Sequence, residues 1–335
     1  MRIFNPHISE LMSASRILVT GGAGFIGSHL VDALMTSGNS VTVLDNLSSG
    51  SLNNIRRWIN DPKFNFIHGD LLDHESLRKA LQECEVVYHL AADPEVRRGS
   101  MDPELHYRQN VEATFRLLEE LRKVDDVKML IFTSSSTVYG EPSKIPTPED
   151  YSPLKPISVY GASKLACEAL ISSYAHLYGF KAIILRLANI VGPRSRHGVI
   201  YDFVNKLMRN PRELEILGDG SQTKSYLYVE DCVRAMSLAA ESNASEVEIF
   251  NIGSEDWVNV KRIAEIIVEE MGLRDVRFKL TGGVDGGRGW PGDVKTMLLD
   301  IRKLKSLGWR PRYGSEEAVR LAARALIEDL RKPDA

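Results

Sequence analysis

Residues 19–30 read VTGGAGFIGSHL. The run before them, RILVT, is apolar and β-branched, the pattern of a strand buried on both faces. The run after them, FIGSHLVDALMTSG, has helical periodicity and is closed by Gly38. Between the two, Gly21, Gly24 and Gly27 stand three apart, and Gly22, Gly24 and Gly27 also satisfy G-x-G-x-x-G. A side chain at these positions would keep the backbone away from a pyrophosphate. The helix start behind the turn supplies amide donors and a partial positive charge. Strand, glycine turn and helix in that order make this a dinucleotide-binding start rather than a chance glycine triplet.

The pattern continues outward from there. SVTVLDN, FNFIHGD, EVVYHLAA, VKMLIFTSSS and KAIILRLANIVGP read as five further strands. Helical periodicity fills LHYRQNVEATFRLLEELRKV and SVYGASKLACEALISSYAHLYG between them. Strands alternating with helices predict an α/β, doubly wound (Rossmann) parallel sheet covered on both faces. After about residue 190 the rhythm breaks. VIYDFVNKLMRN, YLYVEDCVRAMSLAAES, NVKRIAEIIVEEMG and EEAVRLAARALIEDLRK carry helices, and EIFNIGS has strand character. TGGVDGGRGWPGD is a glycine-rich loop suited to cover a site. The expected organisation is an extension over 1–15, a nucleotide-binding domain over 16–190 and a smaller mixed α/β lobe over 191–335. Segments of that lobe cross back to the first domain. No partner role is derivable for the extension.

Composition narrows the class. The 335 residues are 43% hydrophobic and 26% charged with a net charge of -3, which gives no global pull toward nucleic acid or a membrane surface. Cys84, Cys167 and Cys232 show neither paired nor metal-ligand spacing, so a reducing, cytoplasmic setting and no metal are expected. No apolar run approaches the ~18 residues of a membrane span.

Asp45 ends the second strand, where a carboxylate accepts hydrogen bonds from the adenosine ribose and repels a 2′-phosphate. NAD is therefore expected over NADP. Asp70, after the third strand, either meets the adenine or caps the next helix. The fifth strand runs into Ser134, Ser135, Ser136 and Thr137 at its C-terminal end, where ligands sit in open α/β sheets. Tyr160 and Lys164, four apart, share one helix face and start near the same edge. A nearby ammonium favours the phenolate. A free tyrosine titrates near ~10, so ionisation near neutral pH needs a shift of about 3 units, or ~4 kcal/mol.

The motifs TGGAGFIGSHL, LDNLSSG, HGDLLD, HLAAD, TSSSTVYG, YGASK, LRLANIVGPR, GDGSQTKSYLYVED and RGWPGD occur in this order from about residue 16 to about 330. In this the chain resembles the extended short-chain dehydrogenase/reductase superfamily, and within it the NAD-dependent nucleotide-sugar epimerases of UDP-glucose 4-epimerase type. The resemblance implies a catalytic set of Ser135, Tyr160 as base and Lys164 as its partner. It implies NAD contacts at Gly21, Gly24, Phe25, Ile26 and Gly27, and at Asp45, Asn46, Ser48, Gly50, Asp70 and Leu71. Further along it implies contacts at Leu90, Ala91, Ala92, Asn110, Ser134, Tyr160, Lys164 and Leu187. For a nucleotide sugar it points to Ser135, Thr137, Tyr160, Asn189, Val199, Ile200, Lys224, Arg288 and Asp293, with Arg288 as the phosphate clamp. Lys224 stands where arginine is usual, and Arg288 lies farther from Asp293 than the family spacing.

The related 4,6-dehydratases carry Asp–Glu after the catalytic hydroxyl, and the decarboxylases carry Glu at the second position. Ser136 and Thr137 stand there instead, which favours epimerisation over elimination or decarboxylation. UDP-glucose/UDP-galactose is the expected pair, through a transient 4-keto sugar. UDP-N-acetylhexosamine or UDP-uronate 4-epimerisation comes next, then the lyase reactions, and last a non-catalytic NAD-binding regulator. Met297 falls near a position that limits sugar size, and methionine there leaves room for N-acetylated sugars. His29 is expected to pack on the first helix and His197 to lie in a loop near substrate. Helices near 105–123 and 160–178 resemble those of a homodimer interface.

Overall fold

The computed structural model describes residues 15–242 and 246–331, so of the 1–15 extension only Ser15 falls within it. Its first half runs β1 (Arg16–Thr20), α1 (Phe25–Thr36), β2 (Ser40–Asp45), β3 (Phe64–His68), α2 (His74–Ala80) and β4 (Val86–His89). Then come α3 (Pro103–His106), α4 (Ala113–Leu121), β5 (Met129–Ser135), α5 (Val159–Tyr178), β6 (Lys181–Leu187) and β7 (Asn189–Val191). The second half has α6 (Gly198–Arg209), β8 (Glu213–Ile216), β9 (Thr223–Lys224), β10 (Tyr226–Tyr228), α7 (Val229–Ala240) and β11 (Val247–Ile252). It ends with β12 (Val258–Asn259), α8 (Val260–Met271), β13 (Arg277–Leu280), β14 (Thr296–Met297), α9 (Arg302–Ser306) and α10 (Ser315–Arg331).

The main sheet has seven parallel strands in the order β11–β6–β5–β4–β1–β2–β3. β4 is buried at every residue and β6 at all but its first, as strands covered on both faces must be. The chain reverses direction across the sheet between β1 and β4. That crevice, outside the carboxyl ends of the strands, is where ligands bind in such sheets. One apolar core lies on each face: Leu30, Val31, Ile183 and Met236 belong to the first, Leu77, Leu117, Cys167 and Ile171 to the second.

A third core, including Val204, Leu207, Ile263, Ile266 and Ala323, joins α6, α8 and α10 to β8 and β10. The lobe around it adds a parallel β8–β13 pair and the small sheet β12–β9–β14. β11 belongs to the main sheet, pairing with β6, although it lies late in the chain. A buried polar chain secures that edge. Arg186 on β6 pairs with Glu168 on α5 at 2.7 Å and donates to the Tyr139 hydroxyl, which in turn donates to Asn251 on β11.

The helix read across 105–124 is not uniform. α3 passes into a π-helical segment over Tyr107–Glu112 before α4 begins. Its side-chain periodicity is that of one helix, so the widened turn is invisible in the pattern. α5 begins where expected: Ser158 accepts from the Gly161 amide, and Gly179 ends the helix in the left-handed conformation. Among the described residues no helix is long and apolar enough to cross a membrane, and no cluster of potential ligands for a metal ion occurs.

Candidate active site

A cavity of about 1150 Å³ opens at the carboxyl edge of the sheet and is walled on its far side by the second lobe. Its near wall begins at the β1–α1 turn. Gly21 has φ +70°, and a Cβ there would come within 2.8 Å of the Ala91 amide nitrogen. A Cβ at Gly27 would fall 2.1 Å from the Gly21 carbonyl oxygen, so glycine is required for α1 to pack this close to the turn. No side chain caps α1, and its first turn carries no acidic residue. The open amides of that turn face the cavity as anion donors.

Asp45 ends β2 with one carboxylate oxygen on the Ala23 amide (2.9 Å) and the other on the Leu47 amide (2.8 Å). Burial pushes its pKa up, and the two amides hold it down. A carboxylate has about four acceptor sites, so capacity remains for ribose hydroxyls. Asn46 donates to Asp70 at 2.7 Å, which accepts the Leu72 amide with its other oxygen. Asp70 therefore braces the β2–β3 ends; Asp73 is the residue that caps α2. Underneath, buried His89 joins Thr20 at 2.8 Å to Thr114 at 2.9 Å. Burial pushes its pKa down to about 3 and keeps it neutral.

The next stretch of wall brings Ser135, Thr137, Tyr160 and Lys164 together. Ser135 Oγ accepts from the Thr137 amide (3.2 Å) and hydroxyl (2.9 Å), which leaves its own proton free to donate. Hydrogen bonding to Ser135 lowers the Tyr160 pKa, but burial is the larger effect and pushes the phenol up to about 12. Lys164 does not supply the expected downward pull. Its ammonium is buried, donates to the Thr133 carbonyl at 2.9 Å and lies 5.9 Å from the Tyr160 ring centroid. Burial pushes Lys164 itself down to about 8. The four-residue spacing places both side chains on one face without making them an ion pair. Ser134 turns inward to Glu168 instead of outward.

On the far wall, Asn189 donates to the Ser225 carbonyl at 3.1 Å, and Val199 and Ile200 line the cavity from α6. Lys224 pairs with nearly buried Asp293 at 2.6 Å. His197 is at the start of α6 on the wall, and burial lowers its pKa. His29 contacts the Pro193 carbonyl at 3.1 Å and anchors the same loop to α1. Met297 is buried to 6% exposure and also lines the cavity.

Gly50, Asn110 and Arg288 are not on the wall. Gly50 packs flat on the Ala23 backbone, where a Cβ would meet it at 2.9 Å. Asn110 sits behind the wall in the π-helical segment, accepting from the Asp93 amide and donating to Ser163. Arg288 is held by Glu141 and the Asp285 carbonyl, in a tight turn closed by the Arg288 amide on the Val284 carbonyl (2.8 Å). The extra residues before Asp293 bring Trp290 to the wall instead, with Arg97 5.5 Å and Lys224 5.7 Å from its ring centroid. Arg97 and Trp290 were not foreseen. The charged run after β4, at the ligand-binding edge, was the available signal for Arg97. Nothing in the sequence indicated where Trp290 would point.

Residues 17–253 match the family model described as "NAD dependent epimerase/dehydratase family". The chain belongs to this family. It is 38% identical over 309 residues to a putative UDP-glucose 4-epimerase of Methanocaldococcus jannaschii, covering 91% of this chain and 96% of that one. A solved UDP-galactose 4-epimerase superposes with a TM-score of 0.83 at 47% identity, over 94% of this chain and 99% of the other. The UDP-glucuronic acid 4-epimerase of Bacillus cereus, solved with UDP-glucuronic acid and NAD, superposes with a TM-score of 0.84 at 31% identity, over 93% and 99%. NAD is the family's cofactor, and the glycine turn, the open α1 amides and the Asp45 carboxylate fit it.

Proposed function

We propose that this NDP-sugar 4-epimerase interconverts UDP-glucose and UDP-galactose. The observation that carries the reading is the convergence of Ser135, Tyr160 and Lys164 on the cavity wall that begins at the glycine turn, with Ser136 and Thr137 in place of carboxylates. Dehydration or decarboxylation needs an additional acid or base at those positions, whereas epimerisation needs one proton shuttle.

The chemistry NAD supplies when bound is reversible hydride exchange with C4 of the sugar. Tyr160 takes the proton of the C4 hydroxyl and later returns it, and Ser135 donates to the oxygen on which charge changes. Lys164, fixed by the Thr133 carbonyl, would hold the cofactor ribose beside Tyr160, and the positive charge of the bound cofactor would favour the phenolate. The 4-keto sugar turns within the cavity, and reduction from its other face gives the epimer. Asp45 receives the adenosine ribose. The far wall carries Arg196 and Arg209 together with Arg194, Lys206 and Lys224, which pair with Asp32, Asp202 and Asp293; a diphosphate would draw on these cations, with Lys224 in the clamp role expected of Arg288.

Met297 on the wall favours a second substrate class, UDP-N-acetylhexosamines. The protein is further inferred to act in the cytoplasm as a homodimer. Tyr107, Leu177 and Tyr178, on the helices expected at the interface, are 59%, 67% and 47% exposed. Light scattering would show twice the chain mass; a monomer at micromolar concentration would refute the dimer. For the activity, incubation with UDP-galactose followed by NMR should show UDP-glucose forming without accumulation of NADH. Turnover of UDP-N-acetylglucosamine alone would move the assignment to the second class.

A further inference from the structure

His106 ends α3 and is fully buried, yet among the described residues neither of its ring nitrogens makes a well-formed hydrogen bond. Leaving a buried polar group unpaired is costly, so such a site calls for a reason. The space for the ring is made deliberately. A Cβ at Gly99 would fall 2.7 Å from His106 Nδ1, so only glycine there admits the imidazole. One face of the contact is Tyr160, whose ring centroid is 5.6 Å away with the planes at 65°. On the other side, Nε2 lies 3.5 Å from Asp93 Oδ1, a gap that a small rotation closes into a hydrogen bond.

Asp93 is itself fixed. It accepts from the Glu95 amide at 3.0 Å and from Arg98 at 2.9 Å. Burial opposes its charge, but His106, the Glu95 amide and Arg98 together hold its carboxyl below the usual range. A second path runs from Asp93 to the same tyrosine. The Asp93 amide donates to Asn110, Asn110 donates to Ser163, and Ser163 donates to the Tyr160 carbonyl at 2.7 Å. The π-helical turn that carries Asn110 directly follows His106. Widened turns of this kind concentrate at functional sites.

We propose that Asp93 and His106 are a positioning pair for Tyr160: the carboxylate tethers the buried imidazole, and the imidazole sets the phenol ring in its reactive orientation. Neither residue replaces Tyr160 as the group that exchanges the proton. The pair acts through it, so the inference rests on Tyr160 being the base.

The test is a double-mutant cycle in the NAD-loaded enzyme with Asp93→Ala, His106→Phe and both together. His106→Phe keeps a ring against Tyr160 but removes the tether; Asp93→Ala removes it from the other end. Each single change should lower kcat by about 10- to 100-fold with KM within about 2-fold and NAD content unchanged, the size of effect a displaced base produces. The double variant should be no worse than the poorer single one. Asp93→Asn, which can still accept from Nε2, should recover most of the rate. Independent, multiplying losses would overturn the pairing. Raised KM in Asp93→Ala with a silent His106→Phe would place Asp93 on the substrate instead. Lower thermal stability with unchanged kcat per NAD-loaded enzyme would make the pair purely structural and also overturn it. A wild type inactive on every UDP-hexose tried would defeat the functional reading; an active wild type with an unaffected His106→Phe would defeat only this inference.

Discussion

The two walls of the cleft are built by different means. The cofactor wall is made of local backbone: a strand end, a glycine turn and a helix start within residues 16–36, with Asp45 pinned by amides at Ala23 and Leu47. The far wall is made of side chains brought from distant segments. Lys224 of β9 meets Asp293 across 69 residues, and Trp290 meets Arg97 of the other lobe. A wall of backbone tolerates no added atom, whereas a wall of side chains tolerates exchange wherever the charge balance is kept.

The largest effect should come from the backbone wall. Gly27→Ala places a Cβ 2.1 Å from the Gly21 carbonyl oxygen, which cannot move without opening the turn. The variant should purify with little or no NAD, by absorbance after acid release, and turnover should fall at least 100-fold. Full NAD content would show that the turn is softer than its geometry implies.

On the side-chain wall, Lys224→Ala leaves the Asp293 carboxylate, 3% exposed, without its cation. Removing one partner of a buried pair costs about 3 kcal/mol, so the apparent melting temperature should drop and KM for the nucleotide sugar should rise tenfold or more. Lys224→Arg should keep most of both properties. NAD content should be unaffected in either variant, which separates the two walls.

Beneath the cofactor wall, His89 gives stability a pH dependence. An unfolded chain protonates this histidine near 6.5, whereas the folded chain resists protonation until about 3. The unfolded state therefore binds the extra proton in this window, and stability falls as pH drops through it. At pH 4.5 the loss from this one group is about 2–3 kcal/mol, at ~1.4 kcal/mol per pH unit. His89→Gln should lose less stability than the wild type between pH 7 and 4.5 in urea titrations. Equal losses would mean that His89 is not the excluded proton site.

The smallest effect belongs to Arg288. Its guanidinium is occupied by Glu141 and the Asp285 carbonyl. Arg288→Ala should change KM by less than about 3-fold, well under the cost of a lost charge-assisted phosphate contact. A tenfold rise would return Arg288 to the substrate and erase the contrast with Lys224.

The same contrast explains what the sequence could reveal. The six strands through β6, α1, α5 and the phosphate turn are local patterns, so periodicity and glycine spacing expose them. Asp45 was legible because its position at a strand end is also local. The placement of Arg288 off the wall was not legible, because the turn at 284–288 closes on itself and directs the side chain to Glu141. The return of β11 to the main sheet depends on pairing with β6, and neither strand announces its neighbour. The Tyr160–Lys164 spacing was legible, but its electrostatics were not. Burial raises the phenol and lowers the amine, and burial is a property of the folded molecule.

We infer that Tyr160, on the shared edge of the two walls, exchanges the proton of the C4 hydroxyl of a UDP-hexose. The most direct measurement is NMR of UDP-galactose incubated with NAD-loaded wild type and with Tyr160→Phe. The wild type should convert it to UDP-glucose, and the variant, retaining its NAD, should do so at least 1000-fold more slowly. Comparable rates in the two proteins would contradict this role for Tyr160.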